Sequence, residues 1–288
     1  MHSYDDIPSP CFVLEEEKLI MNLEIIAATA KAAGVEIIPA LKGFALWGVF
    51  PLVGGYVKGA AASSLNEARL IAEEMGKKAH TYAPAYREDE FDSILEYSSH
   101  ITFNSPAQAR RFLPRLEGRR TGGPVKALSW GLRVNPGYSP VETALYNPAS
   151  PESRLGATRA ELDKLSGQSF PEGLHLHALC ESDARHTARL LQALEERFGD
   201  YLPRLAWLNL GGGHLITRQG YDRELLIRTL SEFRGRYPNL KLYLEPGSAF
   251  AWETGFLRAR VEDIVERGGV KTAILDASFT APMPDCLE

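Results

Sequence analysis

Short apolar runs alternate with stretches of helical period along most of this chain. VEIIPALK, VKGAAAS, KAHTYAP, SHITFNS, KALSWGLRVN, GLHLHAL, LAWLNL and KLYLE each read as a buried strand. Between most of them the apolar positions recur every three to four residues, which predicts helices over Leu65–Met75, Glu88–Tyr97, Pro106–Leu116, Arg159–Ser166, Ala184–Phe198 and Tyr221–Arg236. An opening strand, Cys11 to Leu14, runs into a helix whose apolar face is Leu19, Leu23, Ile26 and Ala30, and Gly34 ends it. Eight strands with intervening helices predict an α/β fold, a (β/α)8 TIM barrel in preference to an open doubly wound sheet.

Two stretches break the alternation. From Asn135 to Gly156 the chain is rich in Pro, Ser and Asn, and a loop of that length in a compact domain is usually functional or mobile. After Phe250 the pattern becomes that of antiparallel strands, joined at Arg267-Gly268-Gly269. The expected organisation is a barrel over residues 12–250, followed by the incomplete start of a C-terminal β-domain, residues 251–288 with 1–11. Two or three strands do not make an independent sheet, so either the chain is a fragment or a partner completes that domain.

Strand ends on one rim of a barrel are where reactive groups collect. The predicted strands put Lys42 at the end of the first, Arg133 at the fifth, His177 at the sixth, Gly211-Gly212-Gly213 after the seventh and Glu245 after the eighth. Three residues without Cβ let backbone N–H groups approach an anion. A lysine, an aromatic base, an arginine, a phosphate cradle and a carboxylate together suit pyridoxal 5'-phosphate: an amine for its aldehyde, a nest for its phosphate, an acid for its ring nitrogen. Each residue also has a plainer reading. Lys42 could be a cation at the barrel mouth, Arg133 a structural ion pair, and Cys180 a small buried hydrophobe. His175 reads as a satisfied core histidine, and Ser64 to Glu67 as a helix capping box. Tyr146 and Arg154 are candidates through their place in the long loop.

Composition narrows the classes. The chain has 288 residues, 44% hydrophobic and 24% charged, as in ordinary globular proteins. A net charge of −5 argues against nucleic acid and favours a cationic small substrate. No run is long enough to span a membrane, the acidic start MHSYDDIPSP is no signal peptide, and three distant cysteines form neither a disulfide framework nor a zinc spacing. The reading is a cytoplasmic protein with neither a membrane nor a metal partner.

The segments IPSPCFVLEEEKL, IIPALKGFALW, GLRVNPGYSPVETALYNPASPESRLG, GLHLHALCES, LNLGGGHL, LYLEPGSAF and ILDASFTAPMPDCLE carry a resemblance over essentially the whole chain. It resembles the alanine racemase-like, fold-type III pyridoxal phosphate enzymes, and within them the carboxynorspermidine (carboxyspermidine) decarboxylases. The resemblance implies a cofactor-bearing barrel, a C-terminal β-domain and a head-to-tail homodimer with shared active sites. It implies Lys42 as the Schiff-base lysine, His177 stacked on the pyridine ring, and Glu245 on the ring nitrogen. Gly211 to Gly213 with Gly247 and Ser248 would surround the phosphate, beside Arg133. Glu288 would sit where relatives hold the distal amine of the substrate. Relatives continue beyond Glu288 to supply a catalytic cysteine and a phosphate-binding tyrosine; Cys286 does not lie in that motif. A carboxylate at the ring nitrogen favours decarboxylation, where an arginine would favour racemisation. The expected activity is decarboxylation of carboxynorspermidine or carboxyspermidine in polyamine biosynthesis. The alternatives are a related diaminopimelate or basic amino-acid decarboxylase, a truncated inactive homologue or non-catalytic cofactor-binding decoy, and a phosphate-binding barrel without the cofactor.

Overall fold

A computed structural model describes residues 6–121, 128–165, 170–278, 280 and 283. The chain begins with β1 (Cys11–Leu14) and α1 (Glu16–Ala33). Eight parallel strands follow: β2 (Glu36–Ile37), β3 (Gly59–Ala62), β4 (Lys78–Tyr82), β5 (Ser98–Phe103), β6 (Ser129–Arg133), β7 (Gly173–His175), β8 (Trp207–Asn209) and β9 (Lys241–Leu244). They form one sheet in the order β2-β9-β8-β7-β6-β5-β4-β3. A parallel bridge between Ala40 and Ala61 joins the two ends, with Leu41 N–H donating to Ala61 O (3.1 Å) and Ala61 N–H to Pro39 O (2.8 Å). The result is the expected eight-stranded α/β barrel.

The helices interleave with the strands: α2 (Phe50–Gly54), α3 (Leu65–Glu74), α4 (Phe91–Tyr97), α5 (Pro106–Thr121), α6 (Arg159–Leu162), α7 (Ala184–Phe198), α8 (Arg223–Arg236) and α9 (Ser248–Ala251). Several differ from the sequence reading for local reasons. VEIIPALK is not one strand to Lys42: Pro39 has no N–H for the ladder, so regular pairing stops at Ile37 and resumes only at the Ala40 bridge. Helix α2, five residues long, is too short to show a period. Helix α4 starts at Phe91, three residues later than expected, and α6 stops at Leu162; Ser166 lies outside the described residues. Ser64 does cap α3, accepting from Glu67 N–H, but the Glu67 carboxylate reaches back to Ser63 N–H (2.6 Å), so the box is offset by one residue. A full capping box occurs instead at Thr158 and Glu161.

Strand alternation divides the side chains. Ala79 and Thr81 of β4 are buried on one side, while His80 and Tyr82 take the other. The barrel interior is aromatic: the His80 and His100 rings lie 3.9 Å apart, and Tyr243 and Trp207 complete the layer. Trp207 fits because β6 and β7 place glycines beside it. A Cβ at Gly131 or Gly173 would come within 2.3 or 2.0 Å of the indole. Between β5 and helices α4 and α5, Tyr86, Phe91, Phe103 and Phe112 form a buried cluster, with Phe91 and Phe112 centred 4.4 Å apart.

By contact density the chain divides into Met21–Trp252, which contains the barrel, and a smaller unit of Met1–Ile20 with Glu253–Glu288. In the smaller unit β1 pairs antiparallel with β10 (Gly255–Arg258). Strands β11 (Val261–Arg267) and β12 (Val270–Leu275) form a hairpin. Gly268 and Gly269, at φ +58° and +79°, form its two-residue turn, the backbone a tight hairpin requires. Val261, Ile264, Val270 and Ile274 of the hairpin stand exposed.

Candidate active site

Lys42 lies in a turn just past the Ala40 bridge, where Gly43 N–H donates to Ala40 O (3.0 Å). Gly43 also allows close approach of the segment after β9: its Cβ would lie 3.0 Å from Gly247 Cα. The lysine loop and the Gly247-Ser248 turn are thereby pressed together at the C-terminal ends of the strands.

His177 lies two residues past β7 and links Lys42 to the glycine loop. Its Nδ1 accepts from Gly212 N–H (3.2 Å) and its Nε2 is 3.0 Å from Lys42 Nζ. Burial, followed by the Lys42 and Arg133 charges, holds this imidazole well below its usual pKa, so it is neutral. With Nδ1 accepting, the single proton is on Nε2, directed at the lysine. Burial also lowers the Lys42 pKa, and the Arg133 charge acts in the same direction against Glu245. Nε2–H can donate to this amine only when Lys42 is deprotonated, the form that burial favours.

The three glycines are a packing necessity as well as a loop. Gly211 and Gly213 have φ of +71° and +88°, and a Cβ on Gly213 would lie 2.3 Å from the Leu179 carbonyl. Two of their N–H groups serve the protein itself: Gly211 donates to Asn209 Oδ1 (2.8 Å) and Gly212 to His177. The same Asn209 donates through Nδ2 to Glu245 Oε1 (2.5 Å). Glu245 is buried, and desolvation raises its carboxyl to about 7 despite Asn209, Lys42 and Arg133. Arg133, 4% exposed, donates to Tyr82 OH (2.8 Å) and His177 O (2.9 Å) and lies over the Tyr82 ring. Among the described residues it makes no ion pair; it braces the imidazole segment.

Two clefts meet at Lys42. One, about 200 Å³, runs between His177, Gly212-Gly213 and the Gly247-Ser248 turn, with Glu245 also on its wall. The other, about 370 Å³, extends under the long loop to Tyr146 and Arg154, both exposed. Cys180, expected as a buried hydrophobe, is exposed and lines both clefts. His175 is buried but not satisfied, since neither ring nitrogen has a hydrogen-bond partner among the described residues. Cys286 and Glu288 lie outside the described residues.

Three contributors were missed in the sequence. Asn209 looks like one polar residue in an apolar strand. Tyr82 is the last inward position of β4, which alternation alone could have found. Asn104 anchors the long loop, its Oδ1 accepting from Tyr82 OH and Gly156 N–H and its Nδ2 donating to Arg154 O (each 2.9 Å).

The residues present fit pyridoxal phosphate. A buried lysine amine, a flat neutral imidazole beside it and a buried carboxyl share one cleft. The anion end of that cleft is bounded by residues where a side chain would not fit. Lys42, His177, Glu245 and Arg133 would surround the ring, with Gly213, Gly247 and Ser248 at the phosphate.

No family model matches the chain. It is 51% identical over 285 residues to the carboxyaminopropylagmatine decarboxylase of Synechocystis sp., spanning 98% of this chain and 71% of that protein. It is 41% identical over 284 residues to the carboxynorspermidine/carboxyspermidine decarboxylase of Campylobacter jejuni, spanning 99% and 71%. The crystal structure of Campylobacter jejuni carboxynorspermidine decarboxylase complexed with norspermidine superposes with a TM-score of 0.86 at 40% identity, covering 98% of this chain and 71% of that one. Barrel, site and likenesses together define a decarboxylase of the fold-type III class. Within that class, the chain belongs to the carboxynorspermidine/carboxyspermidine decarboxylase family.

Proposed function

We propose that this chain binds pyridoxal phosphate at Lys42 and removes the carboxylate of a carboxylated polyamine, carboxynorspermidine or carboxyspermidine. The observation that carries this is the contact of Lys42 Nζ with the neutral His177 imidazole, 3.0 Å away, beside the buried Glu245. The cofactor, when bound, supplies an aldehyde for exchange with the substrate amine and a ring that takes up the electron pair left by departing carbon dioxide.

The chain's own residues support that chemistry. Burial lowers the Lys42 pKa, which makes the deprotonated amine and its lone pair easier to reach than in a free lysine. His177 gives the ring a flat, uncharged face and adds no charge against a protonated ring nitrogen. Glu245, ionised, holds the proton at that nitrogen. Arg133 fixes His177 through its carbonyl. Tyr146 and Arg154 act on the substrate side of the cleft and Glu288 on the distal amine. The reading extends to a cationic polyamine-type substrate, a cytoplasmic protein and a homodimer with shared active sites. The exposed apolar hairpin residues are consistent with an additional packing surface. We assign the cofactor barrel to the larger unit, Met21–Trp252, and a β-domain to the smaller one, which takes β1 out of the expected barrel range of 12–250. Among the described residues no helix is long and apolar enough to cross a membrane.

One observation favours a second substrate, carboxyaminopropylagmatine: the relative at 51% identity is named for it. Carbon dioxide release should be measured with carboxynorspermidine, carboxyspermidine, carboxyaminopropylagmatine and meso-diaminopimelate on the cofactor-loaded protein. Release from one or more of the polyamine acids and none from diaminopimelate is expected. Equal turnover of diaminopimelate, or bound cofactor with no release from any, would overturn the reading.

A further inference from the structure

Beneath the Lys42–His177 pair the barrel contains a small internal cavity of about 40 Å³, lined in part by His80, Tyr82, Arg133, His175 and Glu245. His175, on β7, is 2% exposed and meets the rings of Tyr82 and His177 edge-on, at 5.2 and 6.3 Å between centroids. Neither of its ring nitrogens has a hydrogen-bond partner among the described residues, yet Nε2 lies 3.5 Å from Glu245 Oε2. A buried imidazole with both nitrogens unsatisfied is costly, and leucine or phenylalanine would fill an inward strand position without that cost. The other carboxylate oxygen, Oε1, is already taken by Asn209.

We propose that His175 is a positioning residue for Glu245, donating Nε2–H to Oε2 when the carboxylate is ionised opposite a protonated ring nitrogen. The inference rests on the pyridoxal phosphate reading above and deepens it. Asn209 and His175 then grip one oxygen each and fix the plane of the carboxylate. The groups facing this pair are Lys42 from the β2 loop, His80 and Tyr82 from β4, Arg133 from β6, His177 beyond β7 and Asn209 from β8. Burial and then the positive charges among them keep His175 neutral, so it acts as a dipolar donor and not as a counter-ion. With the proton on Nε2, Nδ1 is an acceptor, and the cavity has room for a water to serve it.

The test compares two probes by equilibrium binding to the cofactor-free protein: pyridoxal phosphate and its 1-deaza analogue, which has C–H in place of the ring nitrogen. The wild-type chain should prefer pyridoxal phosphate. His175→Phe, close in shape, should weaken pyridoxal phosphate by about tenfold, the scale of one lost hydrogen bond to a charged group, and leave the analogue within about twofold. His175→Gln, whose amide nitrogen reaches where Nε2 was, should restore the preference; His175→Asn, whose amide falls short, should not. Equal weakening of both probes by His175→Phe would mean a merely structural role, and would overturn the proposal. So would a preference undiminished in the Phe variant, or Gln and Asn behaving alike. Loss of the preference in the wild-type chain would instead refute pairing of Glu245 with the ring nitrogen itself, and this inference with it.

Discussion

Acidification perturbs the interior of the barrel and the site together. Five of the seven histidines, His80, His100, His175, His177 and His214, are held below the ordinary histidine pKa, with burial the first cause for each. For His100 and His214 the value falls to about 4. In the unfolded chain each titrates near about 6.5. As pH falls through that value the unfolded chain takes up protons that the folded chain refuses, so stability present above it is progressively lost. Each such histidine contributes about 1.4 kcal/mol per pH unit. Glu245 works in the opposite sense. Its carboxyl, raised to about 7, keeps a proton in the folded chain that the unfolded chain releases above its ordinary value of 4.5. Its share is therefore subtracted, leaving a slope of about 5 kcal/mol per pH unit in the middle of the window. Set against a total stability of about 5–15 kcal/mol, this predicts unfolding about one to three pH units below neutral. Urea denaturation followed by circular dichroism, at half-unit steps downward from neutral pH, measures the slope directly. A slope below about 1 kcal/mol per unit would refute the neutral-histidine interior.

Two substitutions test the support of the site. Asn209→Ala removes a donor from Glu245 and an acceptor from Gly211 N–H; the expected loss is about 2–5 kcal/mol, with the Glu245 carboxyl titrating still higher, as read by chemical denaturation and a Glu245→Gln difference titration. Gly213→Ala, at φ +88° and with its Cβ 2.3 Å from the Leu179 backbone, should abolish cofactor binding and destabilise the fold. Gly220→Ala, at φ +78° with nothing within 4 Å, is the control and should cost only about 1–2 kcal/mol by thermal melting.

Barrel and site were unequally legible in the sequence. The eight strands showed because each apolar run is bounded by helical period on at least one side, and counting them put Lys42, Arg133, His177, the glycines and Glu245 on one rim. The structure gathers those residues, two of them through a single imidazole. Strand lengths were overestimated because apolar character continues past regular pairing, as at Pro39. The partner of β1, Gly255–Arg258, is over two hundred residues away and leaves no local trace. Asn209 and Asn104 escaped notice because a lone amide in an apolar strand or at its end has no pattern. Their roles come from the side chains that the barrel curvature brings opposite them. His175 was read as satisfied because alternation reports which side a residue faces, not whether its nitrogens find partners.

The central claim is that Lys42 is the amine to which the cofactor attaches. Borohydride reduction of the protein incubated with pyridoxal phosphate, followed by proteolysis and mass spectrometry, tests it most directly. The account predicts a phosphopyridoxyl group on the peptide containing Lys42, absent from Lys42→Ala. Modification confined to other lysines, or none at saturating cofactor, would contradict it.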